Sequence, residues 1–161
     1  MTKKEIQSRV LQNGEPLSLD KFEWDEKTNT FSSFEDGLIL DFKNINHCTF
    51  NTGFDCTFHT GFDCIFNTGF DCIFNTDSYC TFKTGANCTF NTGSDCVVVR
   101  RDIYEVIELK KGQKIKLNRY KIKGFEVIEF EVIEDEDEKV DIRISKKSLQ
   151  ALKDSGIKII N

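Results

Sequence analysis

The sequence predicts a mainly β protein built around a short β-solenoid, and three observations predict it. An octapeptide with the consensus CTFNTGFD occurs six times in a row over residues 48–95, and Cys96 closes the series. Apolar and polar residues alternate within each octad, which is the period of a β-strand. On both sides of the repeat the octads give way to other alternating segments, as expected of end caps that cover the outer coils of a repeat protein.

These features divide the 161 residues into three parts. Residues 1–47 are expected to form an N-terminal cap that contains a helix, residues 48–96 the octapeptide-repeat solenoid, and residues 97–161 a C-terminal cap rich in strands. The caps are needed because an uncovered solenoid end would present an unpaired strand edge.

The N-terminal cap is expected to begin with a helix over residues 2–13. Thr2 and Glu5 have the spacing of a capping box, apolar residues then recur with helical period, and Gly14 stands where a helix would end. Between residues 17 and 42, alternating apolar residues separated by turn-forming ones predict short strands.

Each octad has a fixed pattern that predicts a strand and a turn. Cys occupies position 1, Phe position 3 and Thr position 5 of every octad, so the three side chains share one face of the strand. Position 6 is Gly except for Asp77, and we expect a residue that tolerates positive φ there. Each octad is therefore predicted to be a strand of about four or five residues followed by a tight turn.

The octads must stack, because one octad is too short to close a coil around phenylalanine side chains. We prefer a coil of two octads, about 16 residues with two facing sheets, over a triangular coil of three octads and about 24 residues. In either coil the inward residues stack at a spacing of about 4.8 Å. The predicted core ladder consists of Cys48, Cys56, Cys64, Cys72, Cys80, Cys88, Cys96, Phe50, Phe58, Phe66, Phe74, Phe82 and Phe90.

The spacing of the cysteines favours packing over chemistry. Zinc sites usually hold cysteines two to four residues apart, whereas these recur every eight residues, each beside an aromatic residue. An inward thiol among apolar groups has a raised pKa, and in-register parallel strands do not readily give a disulfide dihedral. We therefore expect a reduced cysteine ladder, with no metal and no cofactor.

The composition excludes several other classes of function. The net charge of −5 argues against direct binding of nucleic acid or of an anionic membrane, and no stretch approaches the roughly 18 apolar residues of a membrane span. The N-terminus does not resemble a signal peptide, so a cytoplasmic location is expected. No catalytic arrangement stands out, and we expect no enzyme. The charged residues after the repeat are predicted to point outward from a strand: Arg100, Arg101, Asp102, Glu105 and Glu108.

The turns carry the candidate interaction surface. Position 7 is Phe in the first three octads, and these rings either tuck over the coil edge or lie outside as a binding stripe. Position 8 is often Asp, which is common in tight turns but also allows mimicry of DNA phosphates. The candidate surface consists of Phe54, Phe62, Phe70, Asp55, Asp63 and Asp71.

The C-terminal cap is predicted to combine strands with one helix. The segments VVVRRDIYEVIEL, KIKL, FEVIEFEVIE and KVDIRI alternate with period two, and EDEDE between the last two reads as a charged turn. A helix is expected over residues 146–155, with Ser145 as its N-cap and Gly156 as its C-cap.

The segments DGLILDF, CTFNTG and NTGSDCVVVRRDIYEVIELKKGQKIKLN resemble those of a family of uncharacterised octapeptide-repeat proteins associated with phages and prophages. Members of this family look alike at their ends and differ in the number of octads. The resemblance implies a solenoid between fixed caps and implies no activity.

From these patterns and the resemblance we expect a non-enzymatic structural or protein-interaction module, phage-encoded, whose partner is another protein or a second copy. A first alternative is an acidic DNA mimic or decoy that inhibits a nucleic-acid-binding or defence protein of the host. A second alternative is a virion or tail accessory protein, which would place the chain in the virion.

Overall fold

The structure is a computed structural model and describes residues 1–130, in which two β-sheets face each other across an apolar lumen. The elements in chain order are α1 (Lys3–Gln7), β1 (Val10–Gln12), β2 (Glu15–Pro16), a 3-10 helix (Leu19–Lys21), β3 (Glu23–Asp25), β4 (Thr30–Ser32), β5 (Leu38–Phe42), β6 (Thr49–Asn51), β7 (Thr57–Thr60), β8 (Ile65–Asn67), β9 (Ile73–Asn75), β10 (Thr81–Thr84), β11 (Thr89–Asn91), β12 (Cys96–Arg100), β13 (Glu105–Leu109), β14 (Gln113–Leu117) and β15 (Phe125–Phe130).

The predicted β-solenoid with two octads per coil is confirmed. One sheet has the order β15-β14-β11-β9-β7-β5-β1-β2 and the other the order β13-β12-β10-β8-β6-β4-β3, so consecutive octads lie in opposite sheets. Phe50 pairs with Phe66 and Phe58 with Phe74, in parallel register and 16 residues apart. The alternative coil of three octads is wrong, because it would pair Phe50 with Phe74.

The parallel ladder begins one coil before the first octad. In the predicted N-terminal cap, β4 pairs in parallel with β6, and β5 pairs in parallel with β7. Phe31 aligns with Phe50 and Leu40 aligns with Phe58, so both fill the place of an octad phenylalanine. A degenerate coil without cysteine thus precedes the regular ones.

Antiparallel strands terminate both sheets at both ends. At the N-terminal end β1 pairs with β5 and β3 with β4, and at the C-terminal end β14 pairs with β11 and β13 with β12, all antiparallel. Each parallel edge of the solenoid is therefore covered, which is what removes it as a template for uncontrolled strand pairing.

The predicted helix over residues 2–13 is wrong in its second half. The capping box of Thr2 and Glu5 forms, but α1 ends at Gln7 and the chain turns into β1. Val10 is fully buried opposite Leu40, and this pairing outweighs a local helical period. Asn13 and Gly14 both have positive φ and join β1 to β2, as an Asn-Gly pair does in a two-residue hairpin.

The lumen is filled by a column of phenylalanine rings from each sheet. Phe50 and Phe66 stack at 5.1 Å between ring centroids and an interplanar angle of 11°, as neighbours in one column. Across the lumen, the rings of Phe58 and Phe66 meet edge-on at 5.2 Å and 77°. Full burial of each ring contributes about 1.5–3 kcal/mol, so the two columns together contribute much of the stability of the coils.

In the C-terminal cap, the segment VVVRRDIYEVIEL forms a hairpin of β12 and β13, the predicted KIKL strand forms β14, and the first six residues of the predicted FEVIEFEVIE strand form β15. The rest of that strand, the EDEDE turn, the KVDIRI strand and the helix over 146–155 lie outside the described residues. Within residues 1–130, no helix has the length and apolar character that crossing a lipid bilayer requires.

Candidate interaction surface at the solenoid corners

Each regular coil turns at two corners. We call the turns at residues 52–55, 68–71 and 84–87 the aromatic corner, and the turns at residues 60–63, 76–79 and 92–95 the polar corner. The same octad positions recur in both, one strand apart, but their side chains differ.

Position 8, and not position 6, takes the left-handed backbone conformation at these corners. Asp55, Asp63 and Asp71 have φ values of 56°, 55° and 59°, whereas no octad glycine has positive φ. The prediction for position 6 is therefore wrong. In this conformation the N–H of Asp55 donates to the carbonyl of Phe70 in the next coil, at 3.0 Å. Asp and Asn tolerate positive φ better than other non-glycine residues, so the turn itself accounts for acidic residues at position 8.

Glycine at position 6 is needed because a side chain of the preceding coil lies against its backbone. A Cβ on Gly85 would fall 2.6 Å from Cδ1 of Phe70, and a Cβ on Gly69 would fall 2.8 Å from Cε1 of Phe54. Both distances are shorter than a van der Waals contact, so at these two turns the position admits no side chain unless the ring moves.

The position-7 rings of the aromatic corner form a continuous row. Phe54 and Phe70 are parallel at 5.7 Å and 11°, and Tyr120 from the C-terminal cap meets Phe70 edge-on at 5.9 Å and 68°. Phe54 is 49% exposed and Tyr120 55% exposed, while Phe70 between them is partly buried. We call Phe54, Phe70 and Tyr120 the aromatic row.

Phe62 does not belong to this row, because it lies at the polar corner. Its ring meets His47 edge-on at 5.2 Å and 82°, and Nδ1 of His47 lies 2.9 Å from a carboxylate oxygen of Asp63. The next coil carries Asp77 at position 6, so the bare glycine backbone on which Phe54 and Phe70 rest is absent there. The structure therefore joins two of the three predicted phenylalanines and isolates the third.

A groove of about 610 Å³ runs beside the aromatic row. Phe34 and Phe54 line one part of it, the side-chain amides of Asn51 and Asn67 line another, and Arg101 lies at its C-terminal end. Phe34 is fully exposed to solvent. The Asn67 amide nitrogen donates to the Asn51 amide oxygen at 2.9 Å, and the Arg101 guanidinium donates to the carbonyl of Thr68.

The acidic residues of the two corners have different surroundings. Asp63 at the polar corner pairs with His47. Asp55 and Asp71 at the aromatic corner are exposed, and within residues 1–130 neither carboxylate forms an ion pair or a hydrogen bond. The two carboxylates occupy the same position of adjacent coils, which lie about 4.8 Å apart.

The seven cysteines are buried free thiols, as predicted. The Sγ atoms of Cys56 and Cys72 point at the carbonyls of Phe54 and Phe70, at 3.3 and 3.5 Å. The Cys48 thiol of the preceding coil, together with burial, raises the pKa of Cys64 to about 11. Such a thiol is protonated at neutral pH and is a poor nucleophile or metal ligand. The expected rise in pKa is wrong for Cys48 and Cys88, whose pKa values are lowered by hydrogen bonds from the Cys64 and Cys72 thiols. Among residues 1–130, no three His, Cys, Asp or Glu side chains are placed to hold a metal ion.

Arg100 is fully buried, which corrects the prediction that it points outward. The parity of the octad explains the burial: Cys96 is position 1 of an incomplete seventh octad, so Arg100 takes the inward position 5. Its guanidinium lies 2.7 Å from Asp102 and 3.5 Å from Glu105, and it donates to the carbonyl of Ile122 at 2.6 Å.

Asp102 is also buried, with 1% of its side chain exposed, so its predicted outward orientation is wrong as well. Burial opposes ionisation of this carboxyl, but hydrogen bonds from Arg100 and from the backbone N–H of Lys121 outweigh it and hold the pKa of Asp102 below its usual range. Arg101 and Glu108 are exposed, as predicted. The prediction is wrong for Glu105, which is half-buried because its carboxylate accepts from Arg100 and from the backbone N–H of Gly124. Arg100 thus ties β12 to the loop before β15 and has no donor left for a ligand.

Two surface residues were not singled out from the sequence, Phe34 and Tyr120, and Arg101 was predicted to be exposed but not to line a groove. Phe34 lies in a corner of the degenerate first coil, and Tyr120 lies in the loop between β14 and β15, so no octad position marks either of them. The one feature of the sequence that could have indicated Phe34 and Tyr120 is that each is an aromatic residue outside the alternating segments.

Comparisons of the chain with protein-family models, with curated proteins and with solved structures find no match. The class of the protein therefore rests on its fold. It is a capped β-solenoid of paired octapeptides, with a buried ladder of cysteine and phenylalanine and an aromatic row along one corner.

Proposed function

We propose that this protein is a non-enzymatic interaction module whose solenoid holds the aromatic row in a fixed position for a protein partner. The observation that carries the proposal is the alignment of Phe54, Phe70 and Tyr120 along one corner, with Phe34 exposed nearby. Contiguous exposed aromatic side chains mark protein interfaces, where they supply large contact areas at a small cost in conformational entropy.

The coil does not require aromatic residues at position 7. At the polar corner the same position is Phe62, Ser78 and Ser94, and next to the first serine the backbone N–H of Tyr79 donates to Ser94 O just as Asp55 N–H donates to Phe70 O. The lumen is already filled by the position-3 rings. A small polar residue at position 7 is therefore sufficient for the coil to fold. The phenylalanines at positions 54 and 70 exceed what folding requires, which supports a role in binding.

The chemistry of the core supports a role without catalysis. The thiols lie inside the lumen next to carbonyl oxygens, and the buried guanidinium of Arg100 is saturated by two carboxylates and two carbonyls. The buried thiols and the buried guanidinium of the described residues are thus engaged in packing and in internal hydrogen bonds.

An acidic decoy has less support than a protein-interaction module. Mimicry of a phosphate backbone needs a regular row of negative charges. The position-8 row of the aromatic corner runs Asp55, Asp71, Asn87, and that of the polar corner runs Asp63, Tyr79, Asp95. Each row is interrupted after one or two carboxylates, so neither imitates the continuous charge of a nucleic acid.

Site-specific crosslinking tests the proposal. The photoreactive amino acid p-benzoylphenylalanine replaces Phe54 in one variant and Ile73 in another, in the cells that naturally produce the protein. Ile73 is a matched control because it is 44% exposed on an outer sheet face, close to the 49% of Phe54. We expect a crosslinked protein adduct from position 54 and none from position 73. Equal adducts at both positions, or none at either, would count against the interaction role.

A further inference from the structure

We infer that the groove beside the aromatic row binds an extended segment of the partner that combines basic with apolar side chains. This inference rests on the proposed function and names the chemical class of the partner. Three properties carry it: the shape of the groove, its apolar walls and its unbalanced charge.

The shape of the groove fits an extended chain. The groove begins at Phe34 in the first coil, passes Phe54 in the second and reaches Asn67 in the third, with Arg101 at its end. Three coils at a spacing of about 4.8 Å span roughly 10 Å, the length of about three extended residues. A volume of about 610 Å³ is enough for several side chains.

The apolar walls of the groove are not covered by this chain among residues 1–130. Phe34 is fully exposed, and Phe54 presents about half of its surface. An apolar side chain of the partner between these two rings would be buried on both sides. Such a buried position is where binding energy concentrates in protein interfaces.

The charge around the groove is negative. Three carboxylates line it, Asp20, Glu23 and Asp36, against two basic side chains that both have partners: Lys21 pairs with Glu35 at 3.1 Å, and Arg101 donates to Thr68 O. Two more carboxylates, Asp55 and Asp71, lie outside this lining, each directly after a phenylalanine of the aromatic row.

The two carboxylates next to the aromatic row indicate where a cation would bind. Asp55 and Asp71 face the same way in adjacent coils and are unpaired within the described part of the chain, so they repel one another. A guanidinium or ammonium group placed against both would replace that repulsion with two charge-assisted hydrogen bonds. The aromatic row beside them would contact the aliphatic part of the same side chain.

The polar corner provides an internal control. It also has carboxylates, Asp63, Asp77 and Asp95, and a groove of about 410 Å³, but that groove is lined by Lys43, His59 and polar side chains. A partner attracted by charge alone would use either corner. A partner that needs apolar contacts as well as charge would use the aromatic corner.

Binding of defined peptides tests the inference. The probes are three fluorescein-labelled octapeptides that alternate Arg with Leu, Glu with Leu, or Arg with Ser. Fluorescence anisotropy measures affinity for the full chain, and amide shifts in ¹⁵N spectra locate the contact. We expect the Arg-Leu peptide to bind at least tenfold more tightly than the other two and to shift Phe34, Phe54 and Phe70.

Two variants sharpen the result. Asp55→Asn with Asp71→Asn keeps residues that tolerate positive φ, and should weaken Arg-Leu binding at least tenfold with unchanged thermal stability. Asp63→Asn with Asp95→Asn makes the same charge change at the polar corner and should have little effect. Equal losses from both pairs would overturn the inference, and so would equal binding of the Glu-Leu peptide.

The outcomes separate this inference from the proposed function. Crosslinks from position 54 without Arg-Leu binding would leave the interaction role intact and show that the partner class is wrong. Amide shifts of Phe34 and Phe54 that grow with protein concentration, in the absence of peptide, would identify a second copy as the occupant and overturn the inference. The absence of both crosslinks and peptide binding would overturn both proposals.

Discussion

The ring of Phe54 lies against the backbone of Gly69 in the next coil, so close that a Cβ on Gly69 would fall 2.8 Å from Cε1 of the ring. Phe70 has the same relation to Gly85. The invariant glycine and the phenylalanine of the aromatic corner are thus two halves of one contact between coils. This contact is what aligns the aromatic row along the solenoid axis.

Replacement of Gly69 tests this contact. Gly69→Ala should lower the free energy of unfolding by about 1–3 kcal/mol, because the new methyl group overlaps the Phe54 ring. In a Phe54→Ala background the same substitution should cost clearly less, because the two nearest contacts are ring atoms of Phe54 and the next, the Gly53 carbonyl oxygen, lies at 3.1 Å. Urea unfolding of the four proteins in this double-mutant cycle measures the coupling. Equal costs in both backgrounds would show that ring and glycine are independent.

The sequence predicted the interior of the solenoid well and its corners poorly. Parity assigns Cys, Phe and Thr to one face without reference to any other coil, and their burial follows from strand geometry alone. The roles of positions 6 and 8 depend on the side chain of the preceding coil, and no single octad contains that information. For this reason Gly69 was assigned a backbone role that belongs to Asp71.

The caps show a second limit. Arg100 takes the inward position 5 of an incomplete seventh octad, so its burial could have been predicted from the repeat. Its charge instead favoured the interpretation that it points outward. Val10 belongs to a helical period and is nevertheless a strand residue, because Leu40 offers it a partner distant in sequence. Phe34 and Tyr120 lie in irregular loops, and only the folded chain brings Tyr120 into the aromatic row and Phe34 to the groove beside it.

Removal of the buried guanidinium should destabilise the C-terminal cap. Arg100→Met leaves the Asp102 carboxylate buried without its ion-pair partner and should cost about 3–5 kcal/mol of unfolding free energy. Arg101→Met is the matched control, because Arg101 is exposed and its loss should cost about 1 kcal/mol or less. Denaturant unfolding measures both variants. Similar costs for the two would contradict the structural role of Arg100.

The same ion pair predicts a dependence of stability on pH. The folded-state pKa of Asp102 lies below its usual value, so its carboxylate stabilises the fold above the unfolded pKa of about 3.9. That contribution is lost as the pH falls through the lowered folded-state pKa. The difference in unfolding free energy between the wild type and Asp102→Asn should therefore be constant above about pH 5 and shrink below about pH 4. A difference that stays constant down to pH 2 would contradict this linkage.

The buried thiols should be unreactive while the protein is folded. Burial keeps the reagent away from all seven thiols and is the property they share, because the pKa of Cys64 is raised to about 11 whereas hydrogen bonds from neighbouring thiols lower the pKa of Cys48 and of Cys88. We expect Ellman's reagent to modify none of the seven cysteines in the native state and all of them in denaturant. Ile73→Cys places one additional thiol on an outer sheet face and should add a single fast-reacting group. A native cysteine that reacts as fast as this control would show that the lumen opens.

The solenoid should tolerate the loss of a single octad without unfolding, but its interaction surface should be preserved only when a full coil of two octads is removed. Deletion of residues 64–71 removes one octad, so every later strand moves to the opposite sheet, yet each new neighbour is again an octad in parallel register. Deletion of residues 64–79 removes a full coil and leaves every later strand in its own sheet. Both proteins should fold, because the Cys, Phe and Thr ladders continue across either junction.

The two deletions should differ at the surface. The full-coil deletion keeps Arg101 and Tyr120 on the same corner as Phe34, so the groove is shortened but its two ends still face each other. The octad deletion rotates the C-terminal cap by half a coil and carries Arg101 and Tyr120 to the polar corner. Circular dichroism and thermal unfolding should report cooperative β-structure in both, whereas crosslinking from position 54 should weaken more in the octad deletion. Equal crosslinking in the two deletion variants would show that the C-terminal cap contributes nothing to the interaction surface. Loss of folding in the octad deletion alone would show that the caps contact each other more extensively than their shared groove indicates.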